Sequence, residues 1–217
     1  MSVIAQSWHF PNPSYNFSMM GESISHATSE STPEMAPEAK NVTIYTDGAC
    51  INNPGPGGYG VVLLYGDRRK ELSGGFRHTT NNRMEVMAAI VGLQALKHRC
   101  KIKLHTDSKY LQQGINLGWA EKWRSKGWKK KDRTRLNWDL WDRLLKECAR
   151  HDVEFLWVRG HAGNKENERC DILSVQAAQG KDLPVDRLFE DPVPPPDPPA
   201  SPSLFDFATE RARRPPP

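Results

Sequence analysis

The stretch NVTIYTDGACINNPGPGGYGVVLLY, residues 41–65, carries the decision about the fold. VTIYT (42–46) is rich in β-branched residues and reads as a strand, and YGVVLLY (59–65) reads as the next. Between them, Gly55-Pro56-Gly57-Gly58-Tyr59-Gly60 fits G-x-G-x-x-G and follows a strand, so a dinucleotide-binding enzyme is one reading. That motif needs a helix next, because the pyrophosphate rests on a helix N-terminus. A strand pattern follows instead, and Pro56 removes a backbone donor. The glycines are therefore expected to form a tight connection that lets the backbone approach something closely.

Outward from this pair, KELSGGF (70–76) supplies a third strand after a turn at Gly66-Asp67. Val86, Ile90, Leu93 and Leu96 recur at helical spacing and predict a helix over 82–97. KIKLHT (101–106) is a fourth strand, and Ser108–Leu117 a short helix. Leu136, Leu140, Trp141, Leu144, Leu145 and Cys148 mark an amphipathic helix. VEFLWV (153–158) is the fifth strand, and a helix over 166–178 closes the core. This order implies an α/β fold with one mixed sheet and helices packed on its faces.

Composition sets the boundaries. Eleven of the seventeen prolines follow residue 180, and only Pro54 and Pro56 fall inside the core. Residues 1–40 lack apolar periodicity and are expected to be a disordered extension. Residues 180–217 are expected to be a Pro-rich disordered tail, extended across 191–202. The chain carries +4 in all. Residues 1–40 hold one Lys against four Glu, and 181–217 hold five basic against seven acidic residues, so 41–180 carries +9. Clustered positive charge suits a polyanion. The four cysteines form no C-x-x-C pair, which disfavours a zinc site of the usual spacing. Neither an export signal nor an apolar run of roughly 18 residues is present, so a reduced, cytoplasmic protein is expected.

Four acids could carry chemistry, and each has an ordinary explanation. Asp47-Gly48 could be a turn. Glu85 stands three residues after Asn82, a capping-box spacing. Asp107 could cap a helix, and Asp171 could be solvated. Placement joins the first three. Asp47 and Asp107 both end a strand, within Thr46-Asp47-Gly48 and Thr106-Asp107-Ser108. If those strands are parallel neighbours, the acids lie side by side at the edge where open α/β sheets bind ligands. Glu85, early in the following helix, can reach the same place. Like charges this close need a cation, and oxygen ligands favour a hard one, Mg²⁺ or Mn²⁺.

Five segments now bear on function: YTDGACINNPGPGGYG (45–60), TTNNRMEVMAAI (79–90), TDSKYLQQGI (106–115), GWKKKDR (127–133) and WVRGHAGNKENERCD (157–171). Together, and in this order, they resemble bacterial type 1 ribonuclease H across residues 41–179. The resemblance implies a ribonuclease H-like fold with strand order 3-2-1-4-5. It also implies endonucleolytic cutting of the RNA strand of RNA/DNA hybrids, leaving 5′-phosphate and 3′-hydroxyl ends, as in removal of R-loops and replication primers. The metal carboxylates would be Asp47, Glu85, Asp107 and Asp171, the last entering only through the resemblance. Asp47 would bridge two Mg²⁺ ions, Asp171 would serve the ion at the attacking water, and Glu85 and Asp107 the ion at the leaving oxygen. His161, in the loop RGHAGN, matches the family histidine, with proton shuttling and product release both open. A hybrid-binding module with a dead site would have lost one of these acids, and none is missing.

The resemblance also places Cys50, Asn53, Asn81, Asn82 and Gln112 along the hybrid's minor groove, where the 2′-hydroxyl distinguishes RNA from DNA. Thr80 and Asn137 fall on a DNA-phosphate pocket, with His78 standing where some relatives have Arg. Residues 119–135 hold eight basic residues against two acidic, interleaved with Trp119, Trp123 and Trp128. They resemble the family's basic protrusion, with Lys129, Lys130 and Lys131 neutralising phosphates and the indoles stacking. After Asp171 come Ile172, Leu173 and Ser174, where relatives often have an acidic residue, Leu and Ala. Ser203-Leu204-Phe205 resembles the short peptides that dock in bacterial sliding clamps, and Leu188-Phe189 is a second, equally loose match. A monomer acting on a hybrid, with no membrane contact, is the expectation.

Overall fold

The computed structural model describes residues 40–130, 133–134 and 136–196. Among the described residues the order opens with β1 (Lys40–Cys50), β2 (Gly55–Tyr65), β3 (Arg68–Thr79), α1 (Asn81–Gln94) and β4 (Cys100–Thr106). Then follow α2 (Lys109–Asn116), α3 (Trp119–Ser125), the two-residue strands β5 (Lys129–Lys130) and β6 (Arg133–Thr134), and α4 (Trp138–Cys148). It ends with β7 (Asp152–Trp157), α5 (Lys165–Ala178) and α6 (Arg187–Glu190). The main sheet has the order β3-β2-β1-β4-β7, antiparallel across the first three strands and parallel from β1 to β4 to β7. This is the expected five-strand order. The ladder of β5 and β6 is a separate two-stranded hairpin.

Side chains alternate across the sheet, as strand geometry requires. Val42, Ile44, Val61, Leu63, Ile102 and Leu104 join the larger core with α1 and α4. Tyr45, Val62 and Leu64 turn the other way and pack with Cys170 and Leu173 of α5. Helix α1 is buried at every position from Arg83 to Ile90, so its sequence shows little amphipathic contrast there.

Three expectations are corrected. The glycine run is not a connection between strands: residues 55–60 form the first half of β2, with a register shift between Gly55 and Gly57. The reason lies on the facing helix. A Cβ on Gly58 would sit 2.2 Å from Ser174 O, and one on Gly60 2.2 Å from Cys170 O, so these positions let the α5 backbone touch β2. Second, the tail does not begin at residue 180. Pro184 O accepts from Arg77 N at 2.9 Å, and buried Asp186 pairs with Arg83 at 2.7 Å. Glu190 pairs with Arg77 at 2.6 Å, and the Phe189 ring lies 5.3 Å from that of His78. Third, Trp128 is not a surface aromatic. It is 3% exposed and belongs to the core. Residues 1–39, Lys131 and Ser203-Leu204-Phe205 lie outside the described residues.

Candidate active site

Parallel pairing puts Thr46 opposite Thr106, so Asp47 and Asp107 follow side by side at the C-terminal sheet edge. Thr106 and Ser108 shape this exit. Thr106 Oγ1 accepts from Ser108 N at 3.1 Å, and Ser108, not Asp107, caps α2 by accepting from Leu111 N. That frees the Asp107 carboxylate. Glu85 is likewise no capping residue, because Thr80 caps α1. A Cβ on Gly48 would lie 2.3 Å from Glu85 N, so the bare backbone there lets α1 press against β1 and bring Glu85 to the edge.

The result is a cluster. Carboxylate oxygens of Asp47, Glu85 and Asp107 lie within 4.8 Å of one another. Burial raises the Asp47 pKa to about 6, with further contributions from Asp107 and Asp171, against a hydrogen bond from Ser174. Burial, then the charges of Asp47 and Asp107, push Glu85 well above the usual carboxylate range. Asn81 Nδ2 donates to Glu85 Oε1 at 3.4 Å, while Glu85 Oε2 is buried with no hydrogen-bond partner. An orphaned, buried carboxylate oxygen beside two more acids is what a hard cation would satisfy.

Asp171 stands at the rim, outside that tight group, with its side chain 39% exposed. His161 Nδ1 lies 4.0 Å from Asp171 Oδ2, on a residue with φ 51° in the loop after β7. Two further residues, unassigned by sequence reasoning, support the acids. Asn167 Nδ2 donates to Asp107 Oδ2 at 3.2 Å, and Ser174 Oγ donates to Asp47 Oδ2 at 2.7 Å. Asn167, Asp171 and Ser174 are spaced i, i+4, i+7, one face of α5, and that polar stripe was the available signal.

The substrate-side residues divide. Asn53 Oδ1 accepts from Asn81 N at 3.1 Å, and Cys50 Sγ lies 3.4 Å from Thr79 O, so the turn after β1 is fastened to the start of α1. Asn81 is half-buried there, as is Gln112 on α2, while Asn82 is exposed. Arg83 pairs with Asp139 of α4 through 2.9 and 2.7 Å hydrogen bonds, tying together the helix starts that carry Thr80 and Asn137. Asn137 has φ 60° and donates to Tyr110 Oη at 3.2 Å. Trp119 is 38% exposed, its ring 6.3 Å from that of Trp123, which packs edge-on against Trp141 at 5.8 Å. Lys129 is exposed.

The RNase H family model matches residues 39–179. This chain belongs to the RNase H family. It is 65% identical over 148 residues to Ribonuclease H of Syntrophus aciditrophicus, covering 68% of this chain and 86% of that protein. It is 52% identical over 157 residues to Ribonuclease HI of a Synechocystis species, covering 71% and 98%. Among solved structures it resembles LC9-RNase H1, a type 1 RNase H with the type 2 active-site motif, at TM-score 0.61 and 33% identity, covering 67% of this chain and 75% of that one. A foamy viral protease-reverse transcriptase in complex with RNA/DNA hybrid shares the fold, at TM-score 0.56 and 18% identity, over 73% of this chain and 23% of that one. As an RNase H, the protein hydrolyses the RNA strand of RNA/DNA hybrids. No helix among the described residues is long and apolar enough to cross a membrane.

Proposed function

We propose that this RNase H cuts its RNA strand with two Mg²⁺ ions held by Asp47, Glu85, Asp107 and Asp171. The observation that carries this is the three-acid cluster, with Asp47 and Glu85 buried and Asp107 half-buried, and its unpartnered Glu85 oxygen. Bound there, Mg²⁺ supplies water activation and charge neutralisation on the scissile phosphate. Mn²⁺ is a chemically similar substitute.

The protein's own work is positioning. Asp47 and Asp107 are fixed by strand register, Glu85 by the contact of α1 with Gly48, and Asp171 by α5. Cys50, Asn53, Asn81, Asn82 and Gln112 read the minor groove, where the 2′-hydroxyl marks the RNA strand. Thr80 and Asn137 sit at helix starts, whose positive dipole ends suit a DNA phosphate. Trp119, Trp123 and Lys129 to Lys131 grip the same strand further along, while Trp128 supports that segment from the core. His161, exposed beside Asp171, exchanges a proton at the rim or assists product release. The products carry 5′-phosphate and 3′-hydroxyl ends. All of this work falls within residues 41–179, with 1–40 as an extension.

The test uses a labelled hybrid with Mg²⁺, with EDTA, and with Asp171→Asn. Cleavage only with Mg²⁺, and hybrid binding without cleavage in the variant, are expected. Cleavage in EDTA, or near-normal turnover of Asp171→Asn, overturns the reading.

A further inference from the structure

Ser174 is fully buried, and its hydroxyl has two acceptors in reach: Asp47 Oδ2 at 2.7 Å and the Asp171 backbone carbonyl at 2.9 Å. The ordinary role of a serine inside a helix is the second contact, a bond back to its own helix. The first is different in kind. It spans 127 positions in sequence, is shorter, and ends on a carboxylate, which makes it charge-assisted. One hydroxyl proton cannot serve both acceptors fully, and the carboxylate is the stronger.

The surrounding backbone gives the hydroxyl little freedom. Ser174 O lies against Gly58, where even a Cβ would come within 2.2 Å. Helix α5 is thus seated on β2 at this residue. Ser174 is also one turn beyond Asp171, so a single helix face presents both groups to Asp47. Fixing one oxygen of a carboxylate fixes the direction of the whole group.

We propose that Ser174 is a positioning residue that holds Asp47, the carboxylate shared by both metal positions, in its metal-binding orientation before a cation arrives. The inference rests on the metal-site reading above. Outer hydrogen bonds of this kind orient ligating carboxylates and set metal affinity. The serine hydroxyl bonds to Asp47 and is not itself one of the metal ligands, so the serine acts on metal affinity rather than on turnover. It lets this chain fill its site at lower Mg²⁺ concentration.

The experiment compares wild type, Ser174→Ala and Asp47→Asn in the full chain. Mn²⁺ binding is measured by calorimetry without substrate, the Mg²⁺ midpoint of cleavage is measured with hybrid, and thermal unfolding is followed in EDTA. Ser174→Ala should weaken Mn²⁺ about tenfold and raise the Mg²⁺ midpoint similarly, with kcat at saturating Mg²⁺ and KM for hybrid within about twofold of wild type. Alanine suits a buried helical position, so the variant folds. Unchanged or tighter Mn²⁺ binding with an unchanged midpoint overturns the proposal and leaves Ser174 as a helix back-bonding residue. Wild-type Mn²⁺ affinity in Asp47→Asn would instead overturn the metal-site reading itself.

Discussion

Glu85 and Asp47 place carboxylate oxygens within 4.8 Å of each other, and Glu85 Oε2 has no hydrogen-bond partner. Two acids do not share a buried site without cost when no cation is bound. Glu85→Gln should therefore abolish cleavage while raising the melting temperature of the protein in EDTA. A melting temperature that falls in EDTA would show that Glu85 serves the fold rather than a cation.

The same cost gives a pH dependence. The Asp47 pKa stands at about 6 in the fold against 3.8 for the free group, mainly through burial. A carboxyl with a raised folded pKa contributes stability that is full below its unfolded pKa and lost as pH rises through the folded one. The metal-free protein should thus lose about 3 kcal/mol through Asp47 between about pH 4 and pH 7. Urea unfolding of wild type and Asp47→Asn in EDTA measures it, and parallel curves would refute it.

Arg83 is held by two acids at once, Asp139 on α4 and Asp186 in the segment after α5, each at 2.7 Å. All three side chains are at least nine-tenths buried. Removing one partner from such a group strands a charge, at a cost of about 3–5 kcal/mol. Asp186→Ala should lower the urea midpoint accordingly, with the hybrid cleavage rate at low temperature retained.

Trp128 and Trp119 should separate cleanly. Trp128→Ala empties a core position and should cost about 3–5 kcal/mol of stability. Trp119→Ala should leave stability near wild type and raise KM for hybrid, up to about tenfold for the removal of one stacking ring. The reverse pattern would return Trp128 to the substrate surface.

Neutralising Lys129, Lys130 and Lys131 together should raise KM and flatten its dependence on salt. Each phosphate left without its lysine reduces the slope of log K against log salt by about 0.9 on a duplex. An unchanged slope would remove this segment from substrate binding.

Much of the fold and of the site was legible in sequence because it is local. The strands around Asp47 and Asp107 announce themselves by β-branched runs, and each acid follows a Thr, so the two acids meet once the strands are parallel neighbours, the order that the family resemblance implied. What escaped is non-local. A run of glycines reads as a connection, because strands disfavour glycine. Gly58 and Gly60 are in a strand because α5, more than a hundred residues later, needs their bare backbone. Trp128 reads as a surface ring because it sits among lysines, and only the path of the chain turns it inward. Asp186 has no periodicity to report its partner, which lies 103 positions earlier.

That separation bears on how the molecule is made. Arg83 leaves the ribosome well before the acid that completes its ion pairs, and domains generally fold as units during synthesis. Until Asp186 emerges, the start of α1, which carries Thr80 and Asn81 toward substrate, lacks its final fastening. The segment after α5 is therefore a clasp closed late, one that adds stability to a core whose acids the strand register has already brought together.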